Sequence, residues 1–160
     1  MKRHTIGSLF AVLLLFCNGC ASKHKSDQEM IAQFQAHKTE FSQLLDMLKA
    51  DKGLKYFAHG VTLPESPDSG DISQERRQEY QKLFTRLGLD ALRDLSNNGS
   101  RDEVWFFTSI PGARQSTFKH YAYVVQPGKE TVVDLDQGAS KLKPYRHIEG
   151  NWYLAMDDAD

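Results

Sequence analysis

Cysteine is nearly absent from this chain: of 160 residues only Cys17 and Cys20 carry a thiol, and both lie near the N-terminus. Beyond Cys20 there is no cysteine for an intramolecular disulfide, a thiolate zinc site, an iron–sulfur cluster or a catalytic thiol. Long apolar runs are lacking too. The longest, Ile6 to Phe16, is eleven residues, whereas crossing a bilayer takes roughly 20. Excess positive charge is missing: 20 Lys and Arg stand against 21 Asp and Glu, a formal net charge of −1. With no basic balance and no recognisable RNA- or DNA-binding motif, nucleic acid is excluded as a partner. Also missing are the Gly-x-Ser-x-Gly elbow, the phosphate-cradling glycine loops and any HExxH pair.

The first twenty residues carry what the rest lacks. Lys2 and Arg3 form a positive start, no acidic residue precedes Asp27, and the apolar run to Phe16 has the length of a secretory signal's core. Then comes Cys17-Asn18-Gly19-Cys20-Ala21-Ser22. This stretch resembles the lipobox of bacterial lipoproteins, in which small residues precede an obligatory cysteine. Gly19 and Cys20 match the pattern; Cys17 stands where the family usually has leucine, and Asn18 is not the commonest residue at its place.

The resemblance implies cleavage before Cys20, a diacylglycerol thioether on its sulfur and, as is usual for the family, acylation of the freed amino group. Several acyl chains anchor firmly where one is marginal. Ala21 after the cysteine, rather than Asp, implies an outer-membrane lipoprotein facing the periplasm. The competing expectation is ordinary signal cleavage after Ala21, with Gly19 and Ala21 as the small residues, giving a soluble periplasmic or secreted protein.

Three regions follow: a signal peptide over 1–19, a lipidated tether over 20–25 and one domain over 26–160. Loss of Lys2 and Arg3 takes the formal charge from −1 to −3. With 40% apolar and 26% charged residues the composition is globular, and with no cysteine pair its stability must come from packing.

Ser26-Asp27-Gln28-Glu29 has capping-box spacing. Apolar residues at Ile31, Phe34, Phe41, Leu44, Leu45 and Leu48 predict one long amphipathic helix that ends at Lys52-Gly53. Leu54 to Asp71, with Pro64, Pro67 and Gly70, reads as a loop. A second helix runs from about Ser73 to Gly88, and Asp90 starts a further turn or two that buries Leu92 and Leu95. Asn97 to Ser100 is a turn.

Nine of the seventeen aromatics fall between Trp105 and Tyr153, among β-branched residues, which favours strands. These are expected at 103–110, 117–126, 131–135, 145–148 and 151–156. The fold class is therefore α+β: two or three N-terminal helices on one face of a four- to five-stranded antiparallel meander. Strand 103–110 is apolar on both sides and is expected to be central, or to have its second face covered by a loop or partner. The body resembles small envelope lipoproteins; its element order is similar to that of the small lipoprotein of the β-barrel assembly machinery, in architecture alone.

Candidate chemistry is sparse. Ser140-Lys141-Leu142-Lys143 fits Ser-x-x-Lys, but neither companion motif is present and Pro144 follows, so it reads as a basic loop. The histidines His24, His37, His59, His120 and His147 form no close pair. His120 and His147, with Asp157, Asp158 and Asp160, offer metal-ligand types, and read equally as strand histidines beside an acidic terminus. Asp134 and Asp136 share a strand face and read as a strand end beside a turn. No catalytic residue, metal or cofactor is assigned.

The remaining signal is aromatic. Lys119, Tyr121 and Tyr123 alternate on one strand, and Trp105 and Phe107 on another. If aligned they form a lysine-edged surface suited to a protein or polysaccharide partner, since rings bury much area at small entropic cost; the alternative reading is that they simply cover the sheet's second face. The expected function is a membrane-anchored, non-enzymatic envelope lipoprotein: a protein-binding, assembly or inhibitor module tethered through Cys20. The alternative is a periplasmic hydrolase acting on peptidoglycan or a small substrate, which requires a polar cluster around His120 and His147.

Overall fold

Ser26 caps the first helix, α1 (Asp27–Ala36): its hydroxyl accepts from the Glu29 amide while the Glu29 carboxylate accepts from the Ser26 amide. In the computed structural model, the described residues are 25–58, 61–64, 72–96, 103–109, 117–125, 131–136 and 144–158. The signal region with Cys20, the Ser-x-x-Lys stretch 140–143, the turn 97–100, His24, His59 and Asp160 lie outside them.

The long helix expected from Ser26 to Lys52 is two. His37, at φ −126° and ψ 26°, ends α1, and α2 (Lys38–Ala50) follows at an angle. Neither glycine nor proline causes the break; packing does. In a straight helix, residues seven apart are offset by about 10.5 Å along the axis. The bend instead brings the Phe34 and Phe41 rings to 5.2 Å and sets both against Trp152, at 5.3 and 5.5 Å.

Between these helices and the next, the stretch read as a loop contains two strands, β1 (Leu54–Ala58) and β2 (Val61–Pro64). Proline at the end of β2 suits its place at the sheet edge, where an amide hydrogen is dispensable. Helix α3 (Gln74–Leu87) matches expectation. The Ser73 hydroxyl accepts from the Arg76 amide, and Gly88 closes the helix in the left-handed region at φ 59°.

The segment after Asp90 is a strand, not helical turns: β3 (Ala91–Asp94) lies between β1 and β4 (Glu103–Phe107). Then come β5 (Thr117–Val124), β6 (Tyr145–Glu149) and β7 (Trp152–Asp158). The strand expected at 131–135 is reduced to one parallel bridge, Thr131 with Tyr145. The class is α+β with an antiparallel sheet, as expected. Among the described residues the sheet has seven strands rather than four or five, ordered β2-β1-β3-β4-β5-β7-β6. The simple meander is corrected too: α3 connects β2 to β3, and β7 inserts between β5 and β6. Strand β4 is central, one of the two readings its apolar sides allow.

Register assigns the faces. Phe57, Leu92, Phe106, Tyr121 and Leu154 form one row across the sheet, and Val104, Tyr123 and Trp152 another. These lie under the helices, whose Met30, Phe34, Phe41, Leu44, Tyr80 and Leu87 complete the main core. On the opposite face Ala58, Ala91, Phe107, His120, Ala155 and Tyr145 line up, beside Trp105, Ala122 and Tyr153.

This second face is also buried, with Trp105 at 9% and Tyr145 at 5% exposure. Part of the reason is curvature. The Tyr145 hydroxyl on β6 donates to Glu103 on β4 at 2.7 Å, although the two strands are three spacings apart, about 14 Å in a flat sheet. The sheet must coil toward this face. Alanines alternating with rings leave room for that closure.

Candidate binding cleft

The five residues expected to form one aromatic surface do not share a face. Trp105 and Phe107 belong to the second face; Lys119, Tyr121 and Tyr123 point toward the helices, because Trp105 pairs with Ala122 and Phe106 with Tyr121. Four of them are buried: Trp105, Phe107, Lys119 and Tyr121. The expected exposed surface is therefore corrected to core, with Tyr123 alone partly exposed. Neighbouring ring sums on adjacent strands cannot be read as a surface when the pairing register sends them to opposite sides. Tyr121 donates its hydroxyl to the Met30 carbonyl at 3.0 Å, and burial pushes its pKa up.

His120 and His147 are not a site. His120 is 1% exposed and packs against Trp105, Phe107 and Phe118, with ring centroids at 4.6, 5.4 and 5.5 Å. His147 is exposed on β6, its Nε2 3.0 Å from the Gly150 carbonyl. They are two strands and two residues apart, roughly 12 Å by strand geometry. Acid–base partners need a common substrate within hydrogen-bond reach. Asp157 on β7 is paired with Phe118 in register.

What Lys119 does instead is hold the start of α1. Its ammonium donates to Asp27 at 2.7 Å and to Asp136, and Arg146 on β6 donates to Asp27 at 2.8 Å. The Leu135 amide adds a bond to Asp27 at 2.7 Å, and Asp136 accepts from the Asp27 amide at 2.9 Å. Asp27 is fully buried. The cluster joins α1, β5, β6 and segment 131–136.

Asp27, Asp134 and Asp136 bring carboxylate oxygens within 4.8 Å of one another. The Lys119 ammonium, bonded to two of the three, already supplies the positive charge they surround. This is a clasp. In the sequence Asp27 stood out only as part of the capping-box stretch, and Arg146 gave no signal.

Burial by itself would raise the Asp27 pKa. Hydrogen bonds from Lys119, Arg146 and the Leu135 amide outweigh it and hold the carboxyl below its usual range. Asp136 is lowered first by Lys119 and then by the Asp27 amide. A depressed folded-state pKa means stability that is present above the unfolded value, about pH 4, and is lost as pH falls through the folded value. Melting followed from pH 7 to pH 2 should be level to about pH 4 and then decline. In Asp27→Asn the decline should be shallower; identical acid limbs would show that the clasp does not set acid stability.

A cavity of about 440 Å³ lies at the other end of the same strands. Antiparallel pairing brings together the end of β3, the start of β4 and the end of β5. The C-terminal turn of α2 crosses above them. Leu45, Leu48, Val104 and Tyr123 supply the apolar lining, and Val125, 47% exposed, supplies an apolar rim.

Its acidic neighbours are engaged. Asp51 accepts from Arg76 Nε and the Tyr80 hydroxyl, each at 2.8 Å. Asp94 accepts from the Ser96 amide at 2.9 Å and faces Lys55 at 3.4 Å; Lys55 also donates to the Ser96 carbonyl at 2.9 Å. The Glu103 carboxylate accepts from Trp105 and Tyr145, residues of the opposite sheet face. Lys49 and Lys52 lie at the mouth, with the Lys49 ammonium 4.0 Å from Asp46 and 5.3 Å from the Tyr123 ring centroid. The sequence gives no warning of this cleft, because its walls come from four separate segments.

No family model, curated protein or solved structure matches this chain. Among the described residues, no helix is long and apolar enough to cross a membrane.

Proposed function

We propose that this chain is a bacterial envelope lipoprotein, held by lipid on Cys20 in the outer membrane facing the periplasm, whose domain binds a protein partner without acting on it chemically. The observation supporting a binding role is the cleft and where it lies. The domain starts at Ser26, beside the clasp, six residues from Cys20; such a tether extends at most about 20 Å. The cleft is at the far end of β5, six residues from Lys119 to Val125, about another 20 Å. A domain held this way turns its cleft away from its anchor.

Two measurements test this. Cys20→Ser should move the protein from the membrane pellet to the soluble fraction; a variant that stays in the pellet overturns lipid anchoring. A photo-crosslinking amino acid at Val125 should give discrete protein adducts in intact envelopes. The same probe at Val133, exposed and outside the cleft, should not. Equal adducts at both positions, or none at Val125, overturn binding at the cleft.

A further inference from the structure

The clasp that holds the start of α1 has the parts of a bond-forming site as well as those of an ion pair. We infer that the Lys119 ammonium and the Asp27 carboxylate condense into an intramolecular amide, with Asp136 relaying the protons, so that α1 becomes covalently joined to β5.

The geometry supplies each role. Lys119 Nζ lies 2.7 Å from Asp27 Oδ1, and a donor so placed stands roughly 3–4 Å from the carboxyl carbon, close to a near-attack position. The other oxygen, Asp27 Oδ2, accepts from the Leu135 amide at 2.7 Å and from Arg146 Nη1 at 2.8 Å. Those two donors face the oxygen on which negative charge grows when nitrogen adds to the carbon. Asp136 Oδ1 accepts from the same Nζ, within reach to take a proton and pass it on. Its second oxygen accepts from the Asp27 amide at 2.9 Å, which fixes this base beside the reacting carboxyl.

A surface Lys–Asp pair has none of this, because water solvates both ions and competes for the carboxyl. Here Asp27 is fully buried and Lys119 nearly so. Keeping two opposite charges out of water is costly, and forming the amide removes both. The fold also holds the two groups together, which is equivalent to a local concentration on the order of 10⁵ M or more.

The step balances without a co-reactant. Lys119 begins as an ammonium and Asp27 as a carboxylate, kept ionised by its hydrogen bonds. Asp136 takes one ammonium proton, the freed lone pair on Nζ adds to Asp27 Cγ, and the Cγ–Oδ1 bond breaks. Two of the three ammonium protons, relayed by Asp136, leave with Oδ1 as water. The third stays on the amide nitrogen, with the Lys25 carbonyl 3.4 Å away as its acceptor. Oδ2 becomes the amide oxygen and keeps its bonds from Leu135 and Arg146. Asp136 ends as the carboxylate it began as, and its partial exposure opens a path for the water. The product ties residues 92 apart in a chain with no cysteine beyond Cys20 for a disulfide. A pull on the chain ahead of α1 then passes into β5, inside the sheet between β4 and β7.

The test follows full-length protein held folded at neutral pH, sampled over days, unfolded and digested with trypsin. The expected product joins peptide Ser26–Lys38 to Gln115–Lys129, uncut at Lys119 and lighter than the two together by one water. Fragmentation should place the link between Asp27 and Lys119. It should form about a hundredfold more slowly in Asp136→Ala, the scale of losing a general acid–base group, and not at all in Lys119→Arg. Folded wild type that yields only the separate peptides overturns the inference, whatever the variants do. So does a joined peptide that forms as fast in Asp136→Ala, or in wild type unfolded in guanidinium, since the link would then be independent of this geometry. As the joined peptide accumulates, the Asp27 share of the acid decline in melting should fade, because the amide has no carboxyl to protonate. An undiminished decline in fully joined protein would overturn the assignment to Asp27.

Discussion

Asp27→Ala is expected to destabilise the domain by about 3–5 kcal/mol, the cost of breaking a buried ion pair and leaving its partners uncompensated. Lys119, only 4% exposed, would lose one of two carboxylates, and Arg146 and the Leu135 amide would lose their acceptor. For a domain of this size the melting midpoint should fall by on the order of 10 °C.

The attribution is checked by a double-mutant cycle with Lys119→Met, since removing both charges leaves less to compensate than removing one. A coupling of about 0.5–3 kcal/mol is expected on that basis. A loss below about 1 kcal/mol for Asp27→Ala, within the range of ordinary surface pairs, would mean that the clasp is ornamental. Because Asp27 is the first residue of α1, the same loss should loosen the start of the helix nearest the proposed lipid tether.

Phe41→Ala should be comparably damaging, about 3–5 kcal/mol, for a different physical reason: lost apolar transfer plus an unfilled cavity. Phe41 is fully buried. Its ring lies 4.8 Å from Tyr121, 5.2 Å from Phe34, 5.5 Å from Trp152 and 6.3 Å, edge-on, from Phe106. It is the ring on which α1, α2, β4, β5 and β7 converge. Denaturant unfolding should show a lower midpoint with little change in slope. Phe41→Leu should recover much of the loss because it refills most of the volume. If Phe41→Ala cost no more than a typical surface change, the bend at His37 would need another cause than the packing of Phe34 and Phe41 on Trp152.

These two residues illustrate how legible the fold was. Phe41 was readable as core, since it sits at helical spacing with Leu44, Leu45 and Leu48. The break at His37 was not, because no residue there dislikes a helix; the bend gains from rings that are distant in sequence. Leu54 to Asp71 read as a loop because it carries Pro64, Pro67 and Gly70 and few strong periodicities. Within it, Leu54 to Pro64 became two edge-side strands because β3 supplied a partner for Tyr56, Phe57 and Ala58. Residues 91–94 were too short for periodicity to separate helix from strand. The segment 131–135 is β-branched but gains only one bridge; its Asp134 carboxylate turns to Arg146 and the Asp136 amide, and the following Asp136 turns to Lys119.

The candidate site was the least legible part. Side-chain alternation was read correctly along each strand, yet the relative phase of β4 and β5 was invisible, and one residue of register decides which face a ring takes. Lys119 thus changed from the edge of a binding surface to a buried cation between Asp27 and Asp136.

By itself the sequence determined the α+β class, the capped start at Ser26, the helix start near Ser73, the stop at Gly88 and the absence of thiol chemistry beyond Cys20. All of these rest on local periodicity, local hydrogen bonds or composition. Only the tertiary structure decided the bend at His37, the seven-strand order, the coiling of the sheet, the clasp on Asp27 and the cleft beneath Lys49. Each depends on contacts between segments far apart in the chain, where the energy of packing and charge pairing overrides what any single stretch prefers.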